Sequence, residues 1–319
     1  MKIVFMGTPD FAVASLDAIN KSEHEVVGVV TNIDKKSGRG QKITVSAVKK
    51  YAVENELHLL QPEKFKNEDF LTELQSLNAD LFVVVAFRML PEVVWAMPPK
   101  GTINLHGSIL PNYRGAAPLN WAIINGDKET GVSTFFIEKE IDTGEVIDIS
   151  KVKIEENTTA GELHDELMLV GAKTLVNTLN KIENGSGNGI PQNQLITGTE
   201  KPAPKIFKDT CEINWSNSAQ EIHNLVRGLS PYPVAWSKFN YNGKQIVVKI
   251  FETRIVEENL ENGKIATDNK RSLIVGCQGN KSISIRSLQL PGKKRVDVNS
   301  FLNGTNLAIE TDYFGEPNL

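Results

Sequence analysis

The sequence predicts an α/β protein of two domains, a Rossmann-like doubly wound sheet followed by a small β-barrel. Three observations predict it. Strand-like runs alternate with helix-length segments through residue 183, the pattern of a parallel sheet with crossover helices. Leu81-Phe82-Val83-Val84-Val85-Ala86-Phe87 is apolar at every position, as suits a central strand covered on both faces. Beyond Asn184-Gly185-Ser186-Gly187-Asn188-Gly189 the texture changes to one short helix and about five short strands. At 319 residues the chain is long for one hydrophobic core and comfortable for two.

Each element follows from its residues. Ile3-Val4-Phe5-Met6 reads as the first strand, and Gly7-Thr8-Pro9 ends it before a helix over Phe11–Lys21. Strand Glu25–Thr31 leads to helix Thr44–Asn55, and helix Glu68–Leu77 precedes the apolar strand Leu81–Phe87. A short helix over Glu92–Ala96, strand Thr102–Leu105, helix Ala116–Asn125, and strands Ser133–Ile137 and Glu145–Ile149 follow, then a long helix over Ala160–Glu183. Thr159 with Glu162 fits a capping box opening that helix, and Gly185 closes it. Gly7 is a single glycine where a dinucleotide fingerprint needs GxGxxG, and no GxxxxGK[ST] occurs, so no NAD is expected.

In the second half, helix Ala219–Gly228 precedes strand-like stretches at Ala235–Asn240, Gln245–Phe251, Gly263–Ala266, Ser272–Gly276 and Ser282–Leu290, separated by glycine-containing turns. The expected division is a catalytic domain over 1–189, a linker over 190–207 and a barrel over 208–319.

Several classes are excluded. The start lacks the charged, apolar and small-residue order of a signal peptide, and no apolar run reaches membrane-spanning length, so a soluble cytoplasmic protein with no membrane partner is expected. Cys211 and Cys277 are alone and far apart, His24, His58, His106, His164 and His223 are dispersed, and His164-Asp165-Glu166 is no HExxH, so neither a disulfide nor a metal is expected. The net charge of −4 hides an asymmetry, −8 over residues 1–200 and +4 over 201–319. Residues 31–50 hold Lys35, Lys36, Arg39, Lys42, Lys49 and Lys50 against Asp34, and residues 281–300 hold Lys281, Arg286, Lys293, Lys294 and Arg295 against Asp297. Such patches are solvated surface or bind phosphates. Ser37-Gly38-Arg39-Gly40, a glycine-rich tip among lysines, suits reaching along a nucleic-acid backbone.

The chemistry centres on Ile103-Asn104-Leu105-His106-Gly107-Ser108-Ile109-Leu110-Pro111 and Glu140-Ile141-Asp142-Thr143-Gly144. Side chains alternate along a strand, so Asn104 and His106 share a face. Singly, each is an ordinary turn, cap or core residue. Together they supply what a carbonyl under attack needs: a donor for the developing oxyanion, a group that trades protons, and a carboxylate to orient and charge that group.

With Arg114-Gly115-Ala116-Ala117-Pro118, these stretches resemble the signature of the folate-dependent formyltransferases, most nearly those acting on methionyl-tRNA. The likeness runs the length of the chain, through Met1-Lys2-Ile3-Val4-Phe5-Met6-Gly7-Thr8-Pro9-Asp10-Phe11-Ala12, the loop Ser37-Gly38-Arg39-Gly40-Gln41-Lys42, Trp215, and Pro231-Tyr232-Pro233-Val234-Ala235-Trp236. It implies that 10-formyltetrahydrofolate is the donor and the α-amino group of methionine on initiator tRNA the acceptor, with no obligatory protein partner. It implies that Asn104 polarises the formyl oxygen, that His106 stabilises the oxyanion and transfers protons, and that Asp142 supports a cationic His106. It places folate against Ser108, Ile109, Leu110 and Pro111, which match the family's SLLP with Ile for the first Leu, and against Phe87, Arg88, Met89 and Leu90. There the family wording is nearer AYGLILP, whereas Arg88-Met89-Leu90 is similar to glycinamide ribonucleotide transformylases, whose main chain binds the pterin. The resemblance further implies that Lys35, Lys36, Arg39 and Lys42 meet the tRNA acceptor stem and that the barrel is OB-like and binds tRNA.

Three relatives share this chemistry. Glycinamide ribonucleotide transformylase is a shorter single domain; UDP-aminosugar formyltransferases usually lack the Gly7-Thr8-Pro9-Asp10-Phe11 opening and the basic loop; the hydrolase domain of formyltetrahydrofolate dehydrogenase would be expected to continue beyond Leu319. A catalytically silent tRNA binder on the same two domains would have no use for Asn104, His106 and Asp142 together.

Overall fold

The structure, a computed structural model, describes residues 1–37 and 42–316. The first half is built on a seven-stranded sheet. Its elements are β1 (Lys2–Gly7), α1 (Asp10–Asn20), β2 (Glu25–Val30), β3 (Lys35–Ser37), β4 (Lys42–Thr44), α2 (Ala47–Glu54), β5 (Leu59–Leu60), α3 (Glu68–Ser76), β6 (Leu81–Val85), α4 (Glu92–Trp95), β7 (Thr102–His106), α5 (Pro118–Ile124), β8 (Glu129–Phe136), β9 (Val146–Lys153) and α6 (Ala160–Glu183). The strand order is β5-β2-β1-β6-β7-β8-β9. Ile3 to Met6 and Leu81 to Val85 are all buried, so β1 and β6 are the covered central strands that their apolar runs predict.

From β1 the chain winds outward through β2 to β5, then returns to β6 on the other side, so the winding direction reverses between β1 and β6. In such sheets the crevice beyond the carboxyl ends at the reversal is where ligands bind. The sheet is parallel from β5 to β7, but β8 runs antiparallel to β7, with His106 opposite Ser133 and Ile103 opposite Phe136. Residues 107–128 therefore leave and re-enter the sheet at the same edge and need no crossover helix. The hairpin β3–β4 and the two-residue β5 carry no apolar periodicity, which is why the sequence did not announce them. Helix α2 starts after Ser46, whose Oγ accepts the Lys49 amide at 3.0 Å, rather than at Thr44. At α6 the capping box is present, with Thr159 N donating to Glu162 Oε2 at 2.8 Å and Glu162 N to Thr159 Oγ1 at 3.3 Å.

The second half comprises α7 (Ala219–Gly228), β10 (Ala235–Tyr241), β11 (Lys244–Val256), β12 (Ile265–Thr267), β13 (Leu273–Gly276), β14 (Ser282–Gln289), β15 (Val296–Asp297), α8 (Val298–Asn303) and β16 (Tyr313–Phe314). The path β12-β13-β14-β11-β10-β16 is closed by a bridge between Lys264 and Tyr313, giving a near-closed antiparallel barrel. Its core stacks Phe239 on Phe314 at 4.3 Å, and buried Trp215 donates Nε1–H to Ser237 Oγ at 2.8 Å.

The chain forms two compact units. One comprises Met1–Pro118, Thr130–Lys153 and His164–Ala203; the other comprises Leu119–Glu129, Ile154–Leu163 and the chain from Pro204 onward. The stretch from 190 to 203, expected as linker, belongs to the first unit: Ile190 bridges Val146, Gln192 and Ala203 are buried, and Ala203 bridges Gly115. Its polar residues resemble a tether, but main-chain bonds from Ile190 to Val146, from Lys201 O to Tyr113 N and from Ala203 to Arg114 and Ala116 dock it. Among the described residues no helix is long and apolar enough to cross a membrane.

Candidate active site

Alternation along β7 buries Ile103 and Leu105 and turns Asn104 and His106 to the other face. His106 is 7% exposed. Its Nε2 lies 2.8 Å from Tyr113 O, and because a carbonyl only accepts, Nε2 carries the hydrogen. That leaves Nδ1 facing Asp142 Oδ2 at 3.9 Å. The Phe135 ring stands edge-on to the imidazole at 6.4 Å and fixes its plane. Asn104 is half-buried, and among the described residues nothing hydrogen-bonds its carboxamide, so both its donors and its acceptor are free to meet a substrate.

Asp142 sits in the left-handed region at φ 55°, and its Oδ2 accepts the Gly115 amide at 2.9 Å. The turn that carries it needs Gly144, where a Cβ would come within 1.8 Å of Phe136 O. Buried Gln192 donates to Asp142 O at 3.0 Å and to Gly144 O at 2.7 Å, and accepts Arg114 Nε and Nη2 at 3.0 and 2.7 Å. His106 and Asp142, 36 residues apart in the sequence, thus meet at the carboxyl end of β7, with Asn104 on the same strand face as His106.

The segment after His106 is a rigid turn. Ser108 Oγ donates to Asn112 O at 2.6 Å, while Ser133 Oγ donates to Ser108 O at 2.7 Å and accepts the Leu110 amide at 3.0 Å. Leu110 packs with Phe135 and Val146, Pro111 is buried after a cis bond, and Ile109 is half-buried. Ser108, Leu110 and Pro111 therefore shape the wall, and Ile109 retains exposed surface.

The second stretch follows β6. Leu90 is in the core, Phe87 is half-buried and edge-on to Phe65 at 5.8 Å, and Met89 is 74% exposed. Arg88 stacks 4.0 Å over the Phe65 ring and donates to Pro62 O at 2.5 Å and Glu63 O at 3.3 Å. Burial lowers its guanidinium from the ordinary arginine value. Arg88 clamps the neighbouring loop through Nη1 and Nη2, while its buried Nε has no partner among the described residues. Among the described residues the main chain of Ala86 to Leu90 makes no hydrogen bond within the protein, so its N–H and C=O groups are open to a ligand at the end of β6. That fits a flat heterocycle with donors and acceptors on its edge, the chemistry of a pterin.

Of the basic loop, Lys35 is exposed on β3, Arg39 lies outside the described residues, and so do the side chains of Lys36 and Lys42. Lys49 is an anchor: its Nζ meets Asp34 Oδ2 at 2.6 Å and Gln61 Oε1 at 2.8 Å, and Gln61 Nε2 donates to Asn32 O at 2.7 Å. The Lys49 ammonium and the Gln61 amide hold Asp34 below the usual carboxylate range. The hairpin thus rises from a fixed polar base. Among the described residues no group of three or more His, Cys, Asp or Glu side chains is placed to hold a metal, and Cys211 and Cys277 are buried free thiols.

The sequence reading gave no role to Tyr113, Gly115 or Gln192. Gly115, at φ 125° with Ala203 O 2.5 Å from where a Cβ would be, left a signal in its Arg-Gly context. Gln192, in a polar non-periodic stretch, left none.

Comparison with known proteins agrees with this geometry. The profile of the formyl transferase family matches residues 1–179, and that of the formyl transferase C-terminal domain matches residues 205–306. The chain is 52% identical to the methionyl-tRNA formyltransferase of Flavobacterium johnsoniae, over 98% of this chain and 99% of that one. It is 49% identical to the methionyl-tRNA formyltransferase of Bacteroides fragilis, over 96% of each. Among solved structures, an N-formyltransferase from Helicobacter canadensis, in complex with folinic acid and dTDP-3-aminofucose, superposes with a TM-score of 0.65 at 21% identity, over 89% of this chain and 98% of that one. At that identity the likeness speaks for the fold.

Proposed function

The chain belongs to the formyl transferase family, and we propose that it transfers the formyl group of 10-formyltetrahydrofolate to the α-amino group of methionine on initiator methionyl-tRNA, giving N-formylmethionyl-tRNA for translation initiation. One observation carries the chemistry: His106 Nδ1 faces Asp142 Oδ2 at 3.9 Å, with the free carboxamide of Asn104 two residues back on the same strand face.

In formyl transfer the amine nitrogen bonds to the formyl carbon, the carbonyl oxygen gains negative charge, and the bond to the carrier nitrogen breaks as that nitrogen takes a proton. Asn104 donates its amide N–H to the formyl oxygen and holds the carbonyl in line. His106, anchored at Nε2, presents Nδ1 as the group that takes the proton shed by the amine and stabilises the oxyanion when charged. Asp142 favours that charged state across 3.9 Å, a gap that one water spans in a proton relay.

The folate ring is held by the open main chain of Phe87, Arg88, Met89 and Leu90, against Ile109 in the wall formed by Ser108, Leu110 and Pro111. Lys35, Lys36, Arg39 and Lys42, raised on the hairpin, together with the barrel over 208–319, meet the phosphates of the tRNA. The catalytic domain is assigned to the chain through Ala203, with 190–203 docked on it, and the working compartment is the cytoplasm.

Incubation with 10-formyltetrahydrofolate and methionyl-tRNA charged on the initiator species, followed by mass analysis of the aminoacyl group, tests the assignment. The expected product is N-formylmethionine. Transfer only to a UDP-linked aminosugar, or to neither acceptor, overturns it.

A further inference from the structure

We propose that Gln192 is a positioning residue, which sets Asp142 against His106; the proposal rests on the formyl-transfer reading of that site. Gln192 is 3% exposed, and its carboxamide is fully used. Oε1 accepts two hydrogen bonds from the Arg114 guanidinium, and Nε2 donates to Asp142 O and Gly144 O. A carboxamide offers two lone pairs and two N–H groups, so no capacity remains for substrate. The orientation is forced as well, since the reverse would set an NH2 against a guanidinium and an oxygen against two carbonyls.

The partners of this one amide are those that decide where the Asp142 carboxylate lies. Asp142 is at φ 55°, a backbone state that persists only where its surroundings over-determine it. Gln192 grips the carbonyls on both sides of Thr143 and so fixes the turn. From the other side it holds Arg114, whose neighbour Gly115 gives the amide that binds Asp142 Oδ2 at 2.9 Å. Among the described residues Arg114 has no carboxylate partner, so the neutral Oε1 is what locates it. Release of Gln192 frees both the backbone and the amide that aim the carboxylate, with no loss of a group that touches the reacting atoms.

Two substitutions separate aiming from simple damage. Gln192→Met keeps the length and removes all four hydrogen bonds; Gln192→Glu keeps a partner for Arg114 but loses both donors to the turn. Each is measured for kcat and for KM toward 10-formyltetrahydrofolate, alone and combined with Asp142→Ala. The expected result is a kcat loss of roughly 10- to 100-fold, the scale of a misplaced catalytic group, with KM for folate within about twofold. In the Asp142→Ala background the same substitutions should change kcat by less than about twofold, because residues acting through one another are not additive. Should Gln192→Met fail to fold, Gln192→Glu decides, since its ion pair to Arg114 keeps the segment docked. Wild-type-like kcat in the folded variants, or losses that multiply in the double variants, overturns the proposal. Rates are taken on whichever acceptor the wild type formylates. Wild-type inactivity toward methionyl-tRNA with activity on an aminosugar nucleotide sinks the tRNA assignment and leaves the Gln192 comparison to be scored on the sugar.

Discussion

Asp142 Oδ2 approaches His106 Nδ1 at 3.9 Å, beyond a hydrogen bond, while the imidazole is held at its other nitrogen by Tyr113 O at 2.8 Å. Orientation and charge support are thus divided between two partners. Tyr113 fixes the ring, and Asp142, only 11% exposed, sets a carboxylate beside the other nitrogen. Asp142→Asn keeps the shape and removes the charge. The expected outcome is a kcat loss of roughly two to three orders of magnitude and a changed pH dependence of kcat/KM. An unchanged pH profile would show that Asp142 does not tune His106.

Asn104→Ala removes a half-buried group from a strand whose other face, Ile103 and Leu105, carries the packing, whereas His106→Ala also removes a buried ring that stands edge-on to Phe135. Turnover should fall by roughly 10²- to 10³-fold in each, with a thermal midpoint close to that of the wild type for Asn104→Ala. Near-normal turnover in either variant removes that residue from the assignment.

Much of this site was legible because strand alternation alone puts Asn104 beside His106, and because the apolar run Leu81 to Val85 marks the strand at the sheet's reversal. Asp142 was legible as a residue type and not as a neighbour: its approach to His106 depends on a left-handed turn, the Gly115 amide and the Gln192 clamp, none of which has a period. Arg88 shows the opposite limit. Its stretch was read as main chain that meets a pterin, and where the side chain goes, over Phe65 and onto Pro62 O and Glu63 O, is a tertiary arrangement that no local pattern encodes. In the barrel, the short β15, α8 and β16 escaped for want of length, although β16 supplies the Phe314 that stacks on Phe239.

The turn carrying Asp142 can be tested from its glycine. A Cβ at residue 144 would lie 1.8 Å from Phe136 O, a main-chain atom that cannot swing aside. Gly144→Ala must therefore shift the turn, and kcat should drop by at least about tenfold through a displaced Asp142. Wild-type kcat in a folded Gly144→Ala protein would mean that the position of this turn does not matter for turnover.

His223 predicts how stability follows pH. It is buried, its Nδ1 lies 3.0 Å from Thr253 Oγ1, and burial, then the charge of Arg227, pushes its pKa below the ordinary histidine value. The folded state thus favours neutral His223, while the unfolded chain takes up a proton near pH 6.5. The unfolded state binds more protons there, so stability is present above that pH and is lost as pH falls below it. His24, also lowered by burial, acts in the same direction. The thermal midpoint should fall between about pH 7.5 and pH 5.5, and His223→Gln should flatten that slope while lowering the midpoint at the upper end. A slope equal to that of the wild type would assign the dependence elsewhere.

The basic hairpin is where the proposed acceptor can be tested. β3 and β4 pair through Lys35–Thr44, Lys36–Ile43 and Ser37–Lys42, and the Asp34–Lys49–Gln61 cluster fixes the base from which they rise. Lys49 is consumed in that base, so the side chains to remove are Lys35, Lys36, Arg39 and Lys42. Replacing these four with Ala should weaken use of methionyl-tRNA and leave 10-formyltetrahydrofolate binding intact, because the segments proposed to hold the folate, 87–90 and 108–111, contain none of them. Each phosphate contact releases counterions, so log affinity for a duplex falls by about 0.9 per contact for each log unit of salt. The wild type should accordingly lose tRNA affinity steeply as salt rises, and the fourfold Ala variant should lose it more shallowly, by up to about four contacts' worth of slope. If the variant keeps wild-type kinetics and the same salt slope on charged initiator tRNA, the four cations are solvated surface and the grip on the acceptor lies with other residues.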